Sequence, residues 1–166
     1  MQAGSLLFLS GMLPTEGSEA RYIGRIGAEL DNLVLFLAGR TEDSADSPVL
    51  SALAKRYCEI AETDSEVVVV VAESVAQADD FKRKMHFPVS VLSDTDMLVH
   101  NMVGASCAQA VPAAALYITD RFLEVFAVWR TGTGDRLPDI SDVLSWLTYL
   151  DSQCPECTQI ECATDD

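Results

Sequence analysis

Three of the five cysteines in this chain of 166 residues lie close together near its end. Cys154-Pro-Glu-Cys157 is a C-x-x-C motif, and Cys162 follows it after four intervening residues. Two thiols at the C-x-x-C spacing can close a disulfide or exchange with a disulfide on another protein, and they can also bind one metal ion. Zinc would need a fourth ligand from elsewhere, because only three cysteines are local. The motif is therefore a redox pair, a zinc site at Cys154, Cys157 and Cys162, or a set of exposed thiols without a chemical role.

The other side chains that could do chemistry are isolated in the sequence. Cys58 falls in a predicted helix beside Tyr57 and is expected to be a buried apolar thiol. His100 is expected to be a surface histidine or a core histidine with its hydrogen bonds satisfied. Asp94 and Asp96 are expected to be helix caps and solvated charges. The sequence has no His-Glu-x-x-His motif and no glycine-rich phosphate loop, so cysteine chemistry is the only catalytic chemistry that the motifs indicate.

The elements that must position the cysteines follow from the apolar pattern. Leu33–Leu37 and the valine run Val67–Val71 are short continuous apolar segments, typical of strands buried on both faces. Pro112 opens another apolar run and is expected at the first residue of a strand, where no ladder hydrogen bond is lost. Thr119-Asp-Arg121 separates that run from the next and predicts a hairpin turn. Helices are predicted from Pro48 to Ile60, from a cap at Ser74 to Met85, within the stretch from Asp94 to Gly104, and after a cap at Asp139 or Ser141.

The composition argues against some classes of binding partner. A net charge of −15 and a pI of about 4.3 argue against binding to nucleic acid or to anionic membranes. The apolar run Leu6–Leu9 has no basic residue before it, so it does not predict a secretory signal. No run reaches the roughly 18–20 apolar residues of a membrane span. The expected location is the cytoplasm, where structural disulfides are rare.

The order of the predicted elements, β-α-β-α-(β)-α-β-β-α, indicates an α/β fold. It predicts a central mixed sheet of four to five strands flanked by helices, with a final antiparallel hairpin. The chain divides into an N-terminal extension over residues 1–30 that could hold a β-hairpin, a domain over 31–151, and a cysteine-containing tail over 152–166.

Several segments of the 31–151 domain are similar to one known family. Phe87-Pro-Val-Ser-Val-Leu-Ser-Asp94 matches that family's FPLLSD stretch, and Val111-Pro112 is followed by Tyr117-Ile-Thr-Asp120 before the last hairpin strand. On these segments the chain resembles the thioredoxin-like superfamily, and within it the peroxiredoxin-like group of alkyl hydroperoxide reductase, thiol-specific antioxidant and redoxin domains. The ending from Ser145 to Cys157 is similar to the ends of redoxin-domain proteins. The resemblance implies a thioredoxin-like fold, a cis-proline at Pro112, an antioxidant oxidoreductase role and a habit of dimer formation.

The sequence departs from that family at the reactive loop. Peroxiredoxins resemble one another in the motif Pro-x-x-x-Thr-x-x-Cys after the first strand. The matching positions here keep Thr41 but have Ser44 in the place of the peroxidatic cysteine. A serine hydroxyl is not ionised at neutral pH and is not oxidised to a sulfenic acid. The family's arginine near the proline strand is also missing, because Ala113-Ala-Ala115 stand there. Cys107, in the loop before Pro112, is left as an accessory thiol.

Two functions stay open at this point. The first is a thiol-dependent oxidoreductase, not a standard peroxiredoxin, that uses Cys154 and Cys157 as its catalytic pair and a protein thiol or disulfide as its partner. The second is a redox-inactive thioredoxin-fold module that docks a protein partner at the cis-proline face. Neither needs a cofactor apart from the zinc alternative, neither involves nucleic acid or a membrane, and both are compatible with a homodimer.

Overall fold

The computed structural model describes residues 12–14, 20–22, 32–38, 47–86, 88–102, 113–131 and 136–153. The strands are β1 Met12–Pro14, β2 Ala20–Tyr22, β3 Asn32–Ala38, β4 Ser65–Val71, β5 Ser90–Ser93, β6 Ala115–Thr119 and β7 Val125–Arg130. The helices are α1 Pro48–Lys55, α2 Tyr57–Ala61, α3 Val75–Met85, α4 Leu98–Met102 and α5 Ile140–Asp151.

Five strands form one mixed sheet in the order β5-β4-β3-β6-β7, and β1 and β2 form a separate antiparallel pair. The three strands β3, β4 and β5 run parallel, whereas β6 is antiparallel to both β3 and β7. The sheet confirms the predicted α/β class, mixed strand directions and flanking helices. The two continuous apolar runs form buried strands in the interior of the sheet: every residue of β3 is buried, and only Glu66 of β4 is partly exposed.

The side chains of β3 alternate between two apolar clusters on opposite faces of the sheet. Val34 and Phe36 join the larger cluster, which is completed by buried residues of α1, α2, α3 and α5. Leu35 and Leu37 join the smaller cluster, to which α4 contributes Val99. The alternation is the two-residue period of an extended strand. Apolar side chains therefore pack on both faces of the sheet.

The helix ends follow the local signals in the sequence. Pro48 occupies the first turn of α1, where a missing N–H costs nothing. Ser74 caps α3 through a capping box with Gln77, whose side chain accepts from the Ser74 N–H at 3.2 Å. Asp139 is the N-cap of α5, and the Asp142 carboxylate accepts from its amide at 3.4 Å.

One predicted helix and one predicted burial differ from the structure. The expected helix from Pro48 to Ile60 is interrupted at Arg56, whose φ of −105° and ψ of 17° separate α1 from α2. Cys58 was expected to be buried, and that prediction is wrong, because its side chain is exposed. The helical period explains the result: Ile60 is fully buried, and a residue two positions earlier points about 200° away from it.

None of the helices in the described part of the chain has the length and apolar character needed to cross a membrane.

Candidate functional site

Four strands of the sheet end along the same edge. We call it the carboxyl-end edge: β3, β4, β5 and β7 end there and β6 begins there, since β6 runs antiparallel to its neighbours. Leu37 near the end of β3 pairs with Ala115 at the start of β6. In open α/β sheets, ligands commonly bind outside the carboxyl ends of the parallel strands. The carboxyl-end edge is therefore the candidate site.

The residues predicted to do chemistry lie outside the described residues, but two of their flanking segments meet at this edge. The segment of Thr41 and Ser44 leaves β3 at Ala38 and enters α1 at Ser47. Pro112 directly precedes Ala113, which leads into β6. The described ranges also leave out Cys107, the Val111–Pro112 peptide bond and the three tail cysteines Cys154, Cys157 and Cys162. The cis-proline and the thiol pairings therefore stay predictions.

The C-x-x-C motif follows a helix that runs away from the candidate site. The first residues of α5 share a groove with the first residues of α1, and α5 also contacts α2 farther along. A helix of 12 residues is about 18 Å long. Gln153, the last described residue, thus lies at the far end of α5 from the carboxyl-end edge. A thiol just beyond a helix C-terminus gains no help from the helix dipole, whose negative end disfavours a thiolate.

A buried histidine–aspartate pair stands at the carboxyl-end edge. His100 of α4 is 0% exposed and Asp94, which follows β5, is 1% exposed. The His100 Nδ1 atom lies 2.7 Å from Asp94 Oδ2, and the His100 Nε2 atom lies 3.1 Å from the carbonyl oxygen of Ala38. His100 is thus a core histidine with both ring nitrogens partnered, one of the two outcomes expected for it. The pair ties α4 and the end of β5 to the last residue of β3.

Asp94 is a helix cap, as predicted, but the expectation of a solvated charge is wrong. Its Oδ1 accepts from the Leu98 N–H at 2.7 Å and its Oδ2 accepts from the His100 N–H at 3.0 Å. Burial would raise the pKa of Asp94, but the hydrogen bonds from the His100 ring and from the backbone amides of His100 and Leu98 outweigh it. The pKa of Asp94 is therefore lowered from its ordinary value, and the group is a carboxylate at neutral pH.

Further hydrogen bonds join the ends of β4 and β5. The amide of Asp94 donates to the Val71 carbonyl at 2.8 Å, which extends the parallel pairing by one bond. The hydroxyls of Ser93 and Thr95 both donate to the carbonyl of Glu73. Together with His100, these bonds fasten three neighbouring strand ends into one polar cluster.

An arginine and a tyrosine form a second polar pair near this edge, and sequence reasoning missed both. Arg130 is the last residue of β7 and pairs with Ala115 across the sheet. Its Nε donates to the hydroxyl of the fully buried Tyr117 at 2.9 Å, and its guanidinium carbon lies 5.6 Å from the centre of the Tyr117 ring. The resemblance expects an arginine where Ala113–Ala115 stand. The structure places a guanidinium on the neighbouring strand instead, opposite Ala115.

Tyr117→Phe is expected to lower the free energy of unfolding by about 1–2 kcal/mol, because the Arg130 N–H loses a buried acceptor. Burial raises the pKa of Tyr117 above its ordinary value of 10.0, although the hydrogen bond and charge of Arg130 act in the opposite direction. Because the folded pKa is raised by burial of the neutral phenol, the stability that this burial effect contributes is complete below pH 10 and is lost as the pH rises through the folded value. Urea unfolding measures the loss, and the tyrosinate absorbance of wild type minus Tyr117→Phe gives the titration. Tyr149→Phe, at a half-exposed ring, is the control and should cost less than about 0.5 kcal/mol; equal losses would contradict the prediction.

A groove of about 590 Å³ opens beside the carboxyl-end edge. Its walls are the start of α1, the start of α5 with the segment before it, and Thr131, whose amide donates to the Ala114 carbonyl at 2.9 Å. The groove therefore lies next to the segment that follows Pro112. Among the residues that the structure describes, no three His, Cys, Asp or Glu side chains are grouped to hold a metal ion, and the candidate zinc ligands lie outside that part of the chain.

Comparison with known proteins identifies the fold. No family model matches the sequence, and no curated protein matches it. Among solved structures, the bacterioferritin comigratory protein of Xanthomonas campestris superposes with a TM-score of 0.72 at 16% identity, over 89% of this chain and 97% of that one. Peroxidoxin BcpB of Mycobacterium tuberculosis gives 0.74 at 16% over 90% and 98%, and Prx3 of Vibrio vulnificus gives 0.75 at 12% over 92% and 99%. The chain has the thioredoxin-like fold of the peroxiredoxins, as the resemblance implied.

Proposed function

We propose that this chain is a peroxiredoxin-like protein in which the reactive loop has lost its peroxidase chemistry and Cys154 and Cys157 form a thiol–disulfide pair. One observation carries the proposal. The whole connection between Ala38 at the end of β3 and Pro48 at the start of α1 contains no cysteine. Peroxide reduction by this fold needs a thiolate that a peroxide oxidises to a sulfenic acid, and neither Ser44 nor Thr41 supplies one.

The chemistry of the pair is an exchange with a disulfide on a protein partner. One thiolate of Cys154 and Cys157 attacks a sulfur of the partner disulfide, forms a mixed disulfide and releases a partner thiolate. The second cysteine then attacks the first, which closes the Cys154–Cys157 disulfide and releases the other partner thiol. Two electrons pass to the partner, and the two protons of the Cys154 and Cys157 thiols end on the two partner sulfurs, which become thiols. This cycle fits the reducing cytoplasm, where we expect the chain to work.

The position of α5 supports exchange at the tail itself and not across the proline face. The motif starts directly after Gln153, at the far end of an 18 Å helix, and an extended residue spans only about 3.4 Å. Cys154 therefore cannot reach the carboxyl-end edge from Gln153. The pair would meet its partner at the opposite end of the domain.

Reduction of insulin disulfides is the test. The wild-type protein is expected to catalyse it with a reductant present, and Cys154→Ser combined with Cys157→Ser is expected to reduce the rate to background. Cys58→Ser is the matched control because it removes an exposed thiol elsewhere, and it should keep the wild-type rate. Wild-type activity in the double variant would contradict the assignment. Hydrogen peroxide consumption that survives replacement of all the cysteines would contradict the loss of peroxidase chemistry.

The groove beside Ala114 favours a second function, a redox-inactive module that docks an extended segment of a protein partner at the cis-proline face. The two functions differ in the behaviour of the thiols. Titration of free thiols with and without reductant shows whether Cys154 and Cys157 close a disulfide in the range of biological potentials. A pair that never cycles, together with no insulin reduction, supports the docking module.

A further inference from the structure

We propose that His100 is held as an imidazolium and that the His100–Asp94 pair is a proton-dependent clamp on the end of β3. The clamp joins Asp94 after β5, His100 in α4 and the carbonyl of Ala38, which is 62 residues from His100 in sequence. Its release would remove one hydrogen bond from the last residue of β3, from which the chain continues toward Thr41 and Ser44. This inference does not depend on the thiol chemistry proposed for the tail.

The contacts of the ring require two protons. A backbone carbonyl can only accept a hydrogen bond, so the Nε2 atom must donate to Ala38 across 3.1 Å. Asp94 accepts two backbone amides and acts as a carboxylate, so the Nδ1 atom must donate to Oδ2 across 2.7 Å. A neutral imidazole has one N–H, and with either tautomer one of these contacts would bring two lone pairs together.

The charge balance of the site agrees with this protonation state. Both side chains are at most 1% exposed, so an unpaired charge on either would be costly. An imidazolium and a carboxylate in contact sum to zero, whereas a neutral imidazole would leave a buried negative charge. Removal of the proton therefore both breaks the Ala38 hydrogen bond and unbalances the site.

Other charged groups around the clamp are few among the described residues. Glu73 follows β4 and Asp96 lies in the exposed turn before α4. On β6 and β7, the same face of the sheet as the clamp presents Tyr117, which receives a hydrogen bond from Arg130. Within the described ranges, Asp94 is the one ionisable side chain in hydrogen-bond contact with the His100 ring. The proton on His100 thus depends mainly on Asp94.

The turn that the clamp closes is under backbone strain. Met97, directly before α4, has a φ of 58°, in the left-handed region that costs a side chain with a Cβ about 1–2 kcal/mol. The turn is held by the Met97 amide, which donates to the Asp94 carbonyl at 2.9 Å, and by the Leu98 amide on the Asp94 carboxylate. Loss of the charge pairing would let this turn relax.

Histidine side-chain NMR tests the clamp directly, because the chain has only two histidines and His86 is exposed. Long-range ¹H–¹⁵N spectra show which ring nitrogens carry protons at each pH. At pH 7 we expect both nitrogens of His100 to be protonated. At that pH the amides of Leu98 and His100 should be protected from hydrogen exchange, and they should lose protection when His100 is deprotonated.

The variant Asp94→Asn provides a second test, because it removes the negative charge of the side chain and keeps its shape. It is expected to leave His100 with a single ring proton at pH 7. Should that variant fail to fold, the wild-type spectrum still decides the matter. A single protonated nitrogen on His100 at pH 7 in the wild type would overturn the proposal.

Discussion

Asp94→Ala is expected to lower the free energy of unfolding by about 3–5 kcal/mol, because it removes one partner of the buried His100–Asp94 pair, which we propose to be ionic. The substitution leaves His100 without its carboxylate, and it leaves the amides of Leu98 and His100 without the side chain that caps α4. Urea unfolding followed by far-UV circular dichroism measures the loss. Asp96→Ala is the matched control, because Asp96 is an exposed aspartate two residues away, and it should cost less than about 0.5 kcal/mol. A loss below 1 kcal/mol for Asp94→Ala would show that the pair is not a stabilising element.

The stability that the His100–Asp94 pair contributes is expected to fall at low pH, because the pKa of Asp94 is lowered in the folded protein. A group whose pKa falls on folding contributes stability that is present above its unfolded pKa and is lost as the pH falls through the folded value. The unfolded value is about 3.9. The difference in unfolding free energy between wild type and Asp94→Ala should therefore shrink as the pH falls below about 4. A difference that grows below about pH 4 would contradict the direction of the shift.

Leu50→Ala is expected to lower the free energy of unfolding by about 2–5 kcal/mol, because it opens a cavity in the larger apolar cluster. Leu50 is fully buried in the first turns of α1, on the face that packs against the sheet and α5. Loss of this contact would also loosen the start of α1, where the segment of Thr41 and Ser44 enters the helix. Chemical unfolding measures the stability, with a lower denaturation midpoint at an unchanged m-value as the expected signature.

The control for Leu50→Ala is the same substitution at an exposed leucine. Leu98 of α4 is 56% exposed, so Leu98→Ala removes the same atoms without opening a cavity, and it should cost less than about 1 kcal/mol. Equal losses at the two positions would mean that the packing of α1 on the sheet contributes little. A larger loss at Leu98 would contradict the assignment of the core.

The sequence alone predicted most of the secondary structure and the α/β class of the fold, although it predicted one helix where α1 and α2 stand. Continuous apolar runs specified β3 and β4 as buried strands, and Thr119–Arg121 marked the final hairpin. Ser74 marked one helix start, and Asp139 was one of two caps predicted for the last helix. These signals are local, because a strand period, a cap or a turn involves residues within a few positions of one another. The absence of cysteine between Ala38 and Pro48 was also readable from the sequence, and it carries the functional proposal.

Only the tertiary structure decided which polar side chains meet at the carboxyl-end edge. Nothing near His100 in the sequence indicates that its ring reaches the carbonyl of Ala38, and nothing near Arg130 indicates Tyr117 as its partner. Both contacts exist because the strand order β5-β4-β3-β6-β7 brings distant strand ends side by side. The same packing set the phase of α2, which turned Cys58 outward. Side-chain partners across a sheet depend on strand order and helix phase, and these are set by the packing of the whole core and not by any local run of residues.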